Sequence, residues 1–243
     1  MSLLDAMSWE ENMLAAHLMM ERAAKLPAGD PKARELLHAA RILLSGDPPN
    51  DRHETNPLEL NRRRIMNLHN VLKAAHTAAL WHSGQARKGV KRTPYINHLL
   101  EVSQLVASTP EGRRDENVII AALLHDAIED QQIRAATIAE MFSWDVAKLV
   151  LEVTDDKLLN KQVRKDLQII NAPDKSPRAA LIKLADKISN VSAVADDPPV
   201  HWELERRITY IEWSRAVVRG LPPTSPSLLR QFEEAAANAE SKF

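Results

Sequence analysis

The stretch Asn117-Val-Ile-Ile-Ala-Ala-Leu-Leu-His125-Asp126-Ala-Ile-Glu129-Asp130 decides how this chain is read. From Val118 to Leu124 apolar residues run without a break, so a helix here is expected to be buried on every face rather than along one stripe. Four polar groups then arrive together: His125, Asp126, Glu129 and Asp130. With 3.6 residues per turn in one continuous helix, His125 and Glu129 share one edge, and Asp126 and Asp130 the edge beside it. Buried carboxylates without partners cost several kcal/mol each, so these must face a cation, a cationic side chain or a wet cleft. A bound metal resolves the conflict. So does a helix end that emerges into water with a solvated acidic turn, and the stretch alone does not choose between them.

Composition narrows the surroundings. The chain has 243 residues, enough for one large domain or a domain with an appendage. Glycine is scarce at 6 residues, aromatics make up 4%, and alternating β-branched runs are almost absent, which predicts an all-α protein. The formal net charge of −1 supplies no field to draw in nucleic acid or an anionic membrane. No apolar run approaches the roughly 20 residues that span a bilayer. The N-terminus has no signal-peptide pattern, and a cytoplasmic location is expected. With no cysteine, any metal must be held by histidines and carboxylates.

Outward from the central stretch, helix signals punctuate the chain. Ser8-Trp-Glu-Glu11 reads as a capping box and Asp30-Pro31 as an N-cap with proline at the first helical position; together they predict a helical hairpin. His17 and His38 on it read as structural or surface histidines. The polar, proline-containing segment from Gly46 to Asn56 reads as a linker, giving an N-terminal extension over 1–55 and a main domain over 56–243. Asn56-Pro57 is expected to open a helix, with helical periodicity, open to an interruption, running to about Ser83-Gly84. The basic loop Gln85-Ala-Arg87-Lys88-Gly-Val-Lys91-Arg92 is either a solvated turn or a phosphate clamp at a cleft mouth; without interleaved aromatics it does not suggest nucleic acid. Thr93-Pro94 is expected to cap a helix carrying Tyr95 and His98. Thr137 and Glu140 suggest a further cap. Ser176-Pro177 opens a helix in which Asp186 and Asn190 share one face, so Asp186 needs a partner. A later helix carries Arg206, Tyr210 and Trp213 to Gly220, and a terminal one starts near Pro226.

A histidine in one buried helix, a His-Asp pair in a second and an aspartate in a third resemble the metal site of HD-domain phosphohydrolases. Gln85-Ala-Arg87-Lys88, Pro94-Tyr-Ile-Asn-His98, Leu124-His-Asp-Ala-Ile-Glu-Asp130, Val153-Thr-Asp-Asp-Lys157 and Ile182-Lys-Leu-Ala-Asp-Lys-Ile-Ser-Asn190 look like successive motifs of the RelA/SpoT-type hydrolase domain. Glu212-Trp213-Ser-Arg-Ala-Val-Val-Arg-Gly220 resembles the signature of its stand-alone, metazoan-type small alarmone hydrolases. The likeness spans about residues 66–230. It implies a helical bundle around one divalent metal, Mn²⁺ in most of the family, held by His98, His125, Asp126 and Asp186. It further implies Glu129 for proton transfer or water positioning with Asp130 in support, and a nucleotide pocket of Arg87, Lys88, Lys157, Asn190, Arg206 and Tyr210. The implied reaction is hydrolysis of (p)ppGpp to GDP or GTP and pyrophosphate, with a small-molecule substrate and neither nucleic acid nor membrane as partner.

Two positions depart from the family pattern. Leu99 stands where proline usually follows the first metal histidine, which removes no ligand. Ala193 stands where a polar residue often borders the base pocket, which leaves guanine selectivity open. Residues 1 to about 60 match nothing in the family; a hairpin packed on the core, a homo-oligomer contact or a regulatory arm are the readings available. Another phosphorylated nucleotide such as NADPH, or a nucleotide-binding regulator whose catalysis has lapsed, stand as alternatives to the alarmone.

Overall fold

The computed structural model describes residues 67–243 together with single positions between 12 and 43. The chain divides into two compact units, 1–65 and 66–243. In the first, Ala16, Ala40 and Leu43 are buried, with Ala15 and Met19 packed against them. The capping signals at 8–11 and 30–31, His17, His38, the linker at 46–56 and the helix start at 56–57 lie outside the described residues.

The second unit contains helices α1 (Leu68–Trp81), α2 (Ile96–Ser108), α3 (Glu116–Leu124), α4 (Ala127–Gln131), α5 (Ala135–Met141), α6 (Trp144–Val153), α7 (Lys161–Ile170), α8 (Pro177–Asp196), α9 (Leu204–Gly220) and α10 (Pro226–Glu240). The only β pairing among the described residues is two isolated bridges, Ala86 with Pro94 and Gly89 with Pro199. The all-α expectation holds.

Helix α3 is the hub. Asp115 caps it by accepting the Val118 N–H, and every residue from Val118 to Leu124 is buried. Helices α1, α2, α6 and α8 pack around it. Helix α8 is the second axis: Ser176 caps it with Pro177 at its start, and every residue from Leu181 to Ser189 is buried. Leu99 and Val102 on α2, Ile120, Leu123 and Leu124 on α3, Ile182 on α8 and Phe232 on α10 are fully buried. Each such side chain contributes roughly 1.5–3 kcal/mol, so the axes are held firmly enough to fix what projects between them.

Three local expectations need correction. The helix through 117–130 is not continuous: it stops at Leu124 and restarts at Ala127, with Asp126 at φ −97°, ψ 0°. The Ala122 carbonyl accepts a hydrogen bond from the His125 ring, which turns that side chain back along α3. Thr93-Pro94 does not cap α2, because its backbone pairs with the basic loop: Arg87 N–H donates to Thr93 O and Tyr95 N–H to Gln85 O, both at 2.9 Å. The helix therefore starts at Ile96 without a side-chain cap. Thr137 lies inside α5, which begins at Ala135, also without a side-chain cap.

Candidate metal centre

Helices α2, α3 and α8 each bring part of one cluster to a common point. His98 comes from the first turn of α2, His125 and Asp126 from the break after α3, and Asp186 from the middle of α8. His98, His125 and Asp186 each offer a ligand atom, and the three atoms lie within 4.8 Å of one another. His98 Nε2 is 3.4 Å from Asp186 Oδ1 and 3.7 Å from Asp126 Oδ2. His125 Nε2 is 3.1 Å from Asp126 Oδ2 and 3.7 Å from Asp186 Oδ1. All four residues named from the sequence thus face one small volume. Both histidines and Asp186 are buried.

The donor set suits a divalent cation on three grounds. His125 Nδ1 lies 2.8 Å from the Ala122 carbonyl, which can only accept, so the ring proton sits there and Nε2 presents a lone pair. That buried Nε2 makes no well-directed hydrogen bond and faces the Asp126 and Asp186 carboxylates, so a cation between them would satisfy all three. The carboxylates opposite are ready to ligate. Burial opposes ionisation of Asp126, but the His125 imidazole more than offsets this and holds the carboxyl well below the usual range. For Asp186 burial is likewise outweighed, by the Lys187 ammonium first and then by the two imidazoles. When no cation is present the aspartates instead retain a proton on His125: burial disfavours it, yet Asp126 and Asp186 push the ring up to about 10. His98 behaves oppositely, because burial dominates and lowers it.

Supporting groups aim the carboxylates. Tyr95 donates its hydroxyl to Asp126 Oδ2 at 2.6 Å, and burial together with that carboxylate raises the phenol so far that it stays a donor. Asn190 donates to Asp186 Oδ1 at 2.6 Å, and Arg87 donates to Asn190 Oδ1 at 3.2 Å, linking the basic loop to the centre. Lys187, buried over the Trp213 ring at 4.5 Å, takes the other Asp186 oxygen at 3.2 Å.

The cluster opens into a cleft of about 840 Å³. Arg87, Lys88, Lys157, Asn190, Arg206 and Tyr210 all line it, as do Glu129 and Asp130. The two acids differ. Burial pushes Glu129 up to about 7, with the Asp155 and Asp126 charges adding to it. Asp130 is held at both oxygens, by the Gln85 amide at 2.7 Å and by the Lys157 ammonium.

Sequence reasoning named Arg206 and Tyr210 on the cleft wall but missed Trp202, Trp213, Lys161 and Lys165. Trp202, Tyr210 and Trp213 form a run of tilted rings with centroids 5.1 and 5.3 Å apart. Arg206 lies over Trp202 at 4.7 Å and Lys165 over Trp213 at 4.9 Å. The spacing of Arg206, Tyr210 and Trp213 was a visible signal for one face of α9, with Trp202 just before its start. Lys161 and Lys165 on α7 complete the wall; burial and then the nearby Arg206 depress both ammonium groups. A cleft whose cations crowd one another in this way is arranged for an anion with several charges.

The sequence profile of the HD domain matches residues 74–211. The guanosine-3′,5′-bis(diphosphate) 3′-pyrophosphohydrolase of Drosophila melanogaster is 45% identical over 157 residues, covering 65% of this chain and 87% of that one. The human enzyme of the same name is 43% identical over 165 residues, with 68% and 89% covered. A solved structure described as a metazoan ortholog of SpoT that hydrolyzes ppGpp superposes with a TM-score of 0.65 at 42% identity, covering 68% of this chain and 93% of that one.

Proposed function

The chain belongs to the HD-domain family, and from that premise we propose that it is a metal-dependent hydrolase that cleaves the 3′-pyrophosphate from (p)ppGpp, releasing GDP or GTP. The observation that carries the reading is the convergence of two imidazole Nε2 atoms and two aspartates at the floor of a polycationic, aromatic-walled cleft. His98, His125, Asp126 and Asp186 would hold one cation; histidine and carboxylate without thiolate suit Mn, Fe or Zn, and Mn²⁺ is our choice because the resemblance to RelA/SpoT-type hydrolases implies it. When bound, such a cation polarises a phosphoryl oxygen and acidifies a water.

The chain's own groups do the rest. Glu129 faces the cleft with its carboxyl near neutrality, so it is suited to take a proton from an attacking water and return it to the leaving oxygen. Asp130, fixed at both oxygens by Gln85 and Lys157, serves to hold its neighbours in place. Arg87 and Lys88 line the cleft from the loop, Lys161 and Lys165 from α7, Lys157 from the turn before it, and Arg206 from α9. Arginine binds phosphate with a planar fork and lysine as a point charge. Tyr210 and the flanking tryptophans offer flat faces to a base.

The test is incubation with ppGpp and Mn²⁺, with products identified. Equimolar GDP and pyrophosphate are expected. Phosphate release from NADPH without ppGpp cleavage, or ppGpp binding without turnover, would contradict the reading.

A further inference from the structure

Two other buried serines on helices turn back on their own helix: Ser103 donates to Leu100 O and Ser214 to Tyr210 O. Ser189 does not. It lies in the middle of α8, three residues after Asp186, and is 1% exposed. Its hydroxyl donates across to Glu101 Oε2 on α2 at 2.6 Å, while its oxygen lies 2.8 Å from His98 Nδ1. Glu101 follows His98 by three residues on the same helix, so both reach Ser189 from one face.

Counting protons fixes the direction of this chain. A carboxylate only accepts, and a serine hydroxyl has one proton to give. If Ser189 gives it to Glu101, the contact with His98 must run from the Nδ1 proton to the serine oxygen. The neutral ring then has no proton left for Nε2, the atom that faces Asp126 and Asp186. Without the carboxylate at the far end, Ser189 could donate to Nδ1 instead, and the ring proton would move to Nε2 and block the ligand position. His125 reaches the same tautomer by a different route, through the Ala122 carbonyl, so His98 is the ligand whose tautomer rests on side chains alone.

We propose that Glu101 and Ser189 are positioning residues that lock His98 in the Nδ1–H tautomer and so keep Nε2 open to the cation. The proposal rests on the metal site assigned above and involves no change of charge on the ring. Ordering of a ligating histidine by a group at its other nitrogen is worth about 10- to 100-fold in metal affinity.

The test uses the full chain and Mn²⁺ itself. In ¹⁵N-histidine spectra recorded without metal, His98, assigned by comparison with His98→Ala, is expected to carry its proton on Nδ1. Ser189→Ala should weaken Mn²⁺ binding by about 10- to 100-fold, with Ser189→Thr restoring it to within about threefold. Glu101→Ala, at an exposed position, should leave the circular dichroism unchanged, mix the two His98 tautomers and weaken Mn²⁺ about three- to tenfold; it decides the matter should Ser189→Ala not fold. An Nε2–H ring in the wild type overturns the relay. So does Glu101→Ala binding Mn²⁺ as tightly as wild type. Folded wild-type protein that binds no Mn²⁺ removes the metal site, and the relay with it.

Discussion

At the scale of single residues, the sequence located the four converging groups but not their protons. His125, Asp126 and Asp186 stood out because carboxylates and imidazoles on buried helices need partners, whereas His98 alone reads as a core histidine and joined them only through the resemblance to the HD-domain phosphohydrolases. What Tyr95, Ser189 and Lys187 do was not legible, since each depends on which helix faces it. Three outcomes follow. Glu129→Gln should keep Mn²⁺ affinity and lose about 10²–10⁴ of kcat, measured with ppGpp at saturation. In the wild type the acid limb of kcat should fall at or below about pH 7, because Glu129 must be ionised to accept a proton and a bound cation can only lower it from there. Mn²⁺ binding at pH 7 should also release about one proton, since His125 holds one up to about pH 10 when no cation is bound. Calorimetry in two buffers of different ionisation enthalpy reads this directly.

At the scale of elements, caps that satisfy a helix with local chemistry were readable: Ser176-Pro177 and Pro226 stand where the structure starts α8 and α10. Thr93 and Thr137 misled because the same residue types had other work, the first in a loop paired with 85–87 and the second inside a helix. The basic loop itself was visible, but its anchoring was not. Gly89 lies so close to α8 and its C-cap that an added Cβ would sit 2.1 Å from Asp197 Oδ2 and 2.4 Å from its carbonyl oxygen. Gly89→Ala should therefore push the loop outward and misplace Arg87 and Lys88. KM for ppGpp is expected to rise about tenfold or more, while Mn²⁺ affinity, read by titration, stays unchanged.

At the scale of the molecule, the all-α class followed from few glycines and long helical periodicities, whereas the way distant segments lock together did not. Arg178 at the start of α8 illustrates this: it donates to both oxygens of Asp145 at 2.7 Å and to Asp115, the α3 cap, at 3.0 Å. Sequence separation hides such a clamp. Arg178→Ala should cost about 2 kcal/mol in denaturant unfolding and leave Mn²⁺ affinity unaltered. Conversely, Mn²⁺ at a hundredfold over its Kd should stabilise the fold by about 2.7 kcal/mol, and in Asp126→Ala it should not. The most direct measurement is an anomalous difference map at the manganese edge from crystals soaked in Mn²⁺. One peak is expected, bounded by His98 Nε2, His125 Nε2, Asp126 and Asp186. A peak that leaves out any of the three helices, or none at saturating Mn²⁺, would contradict the single-cation site on which the chemistry depends.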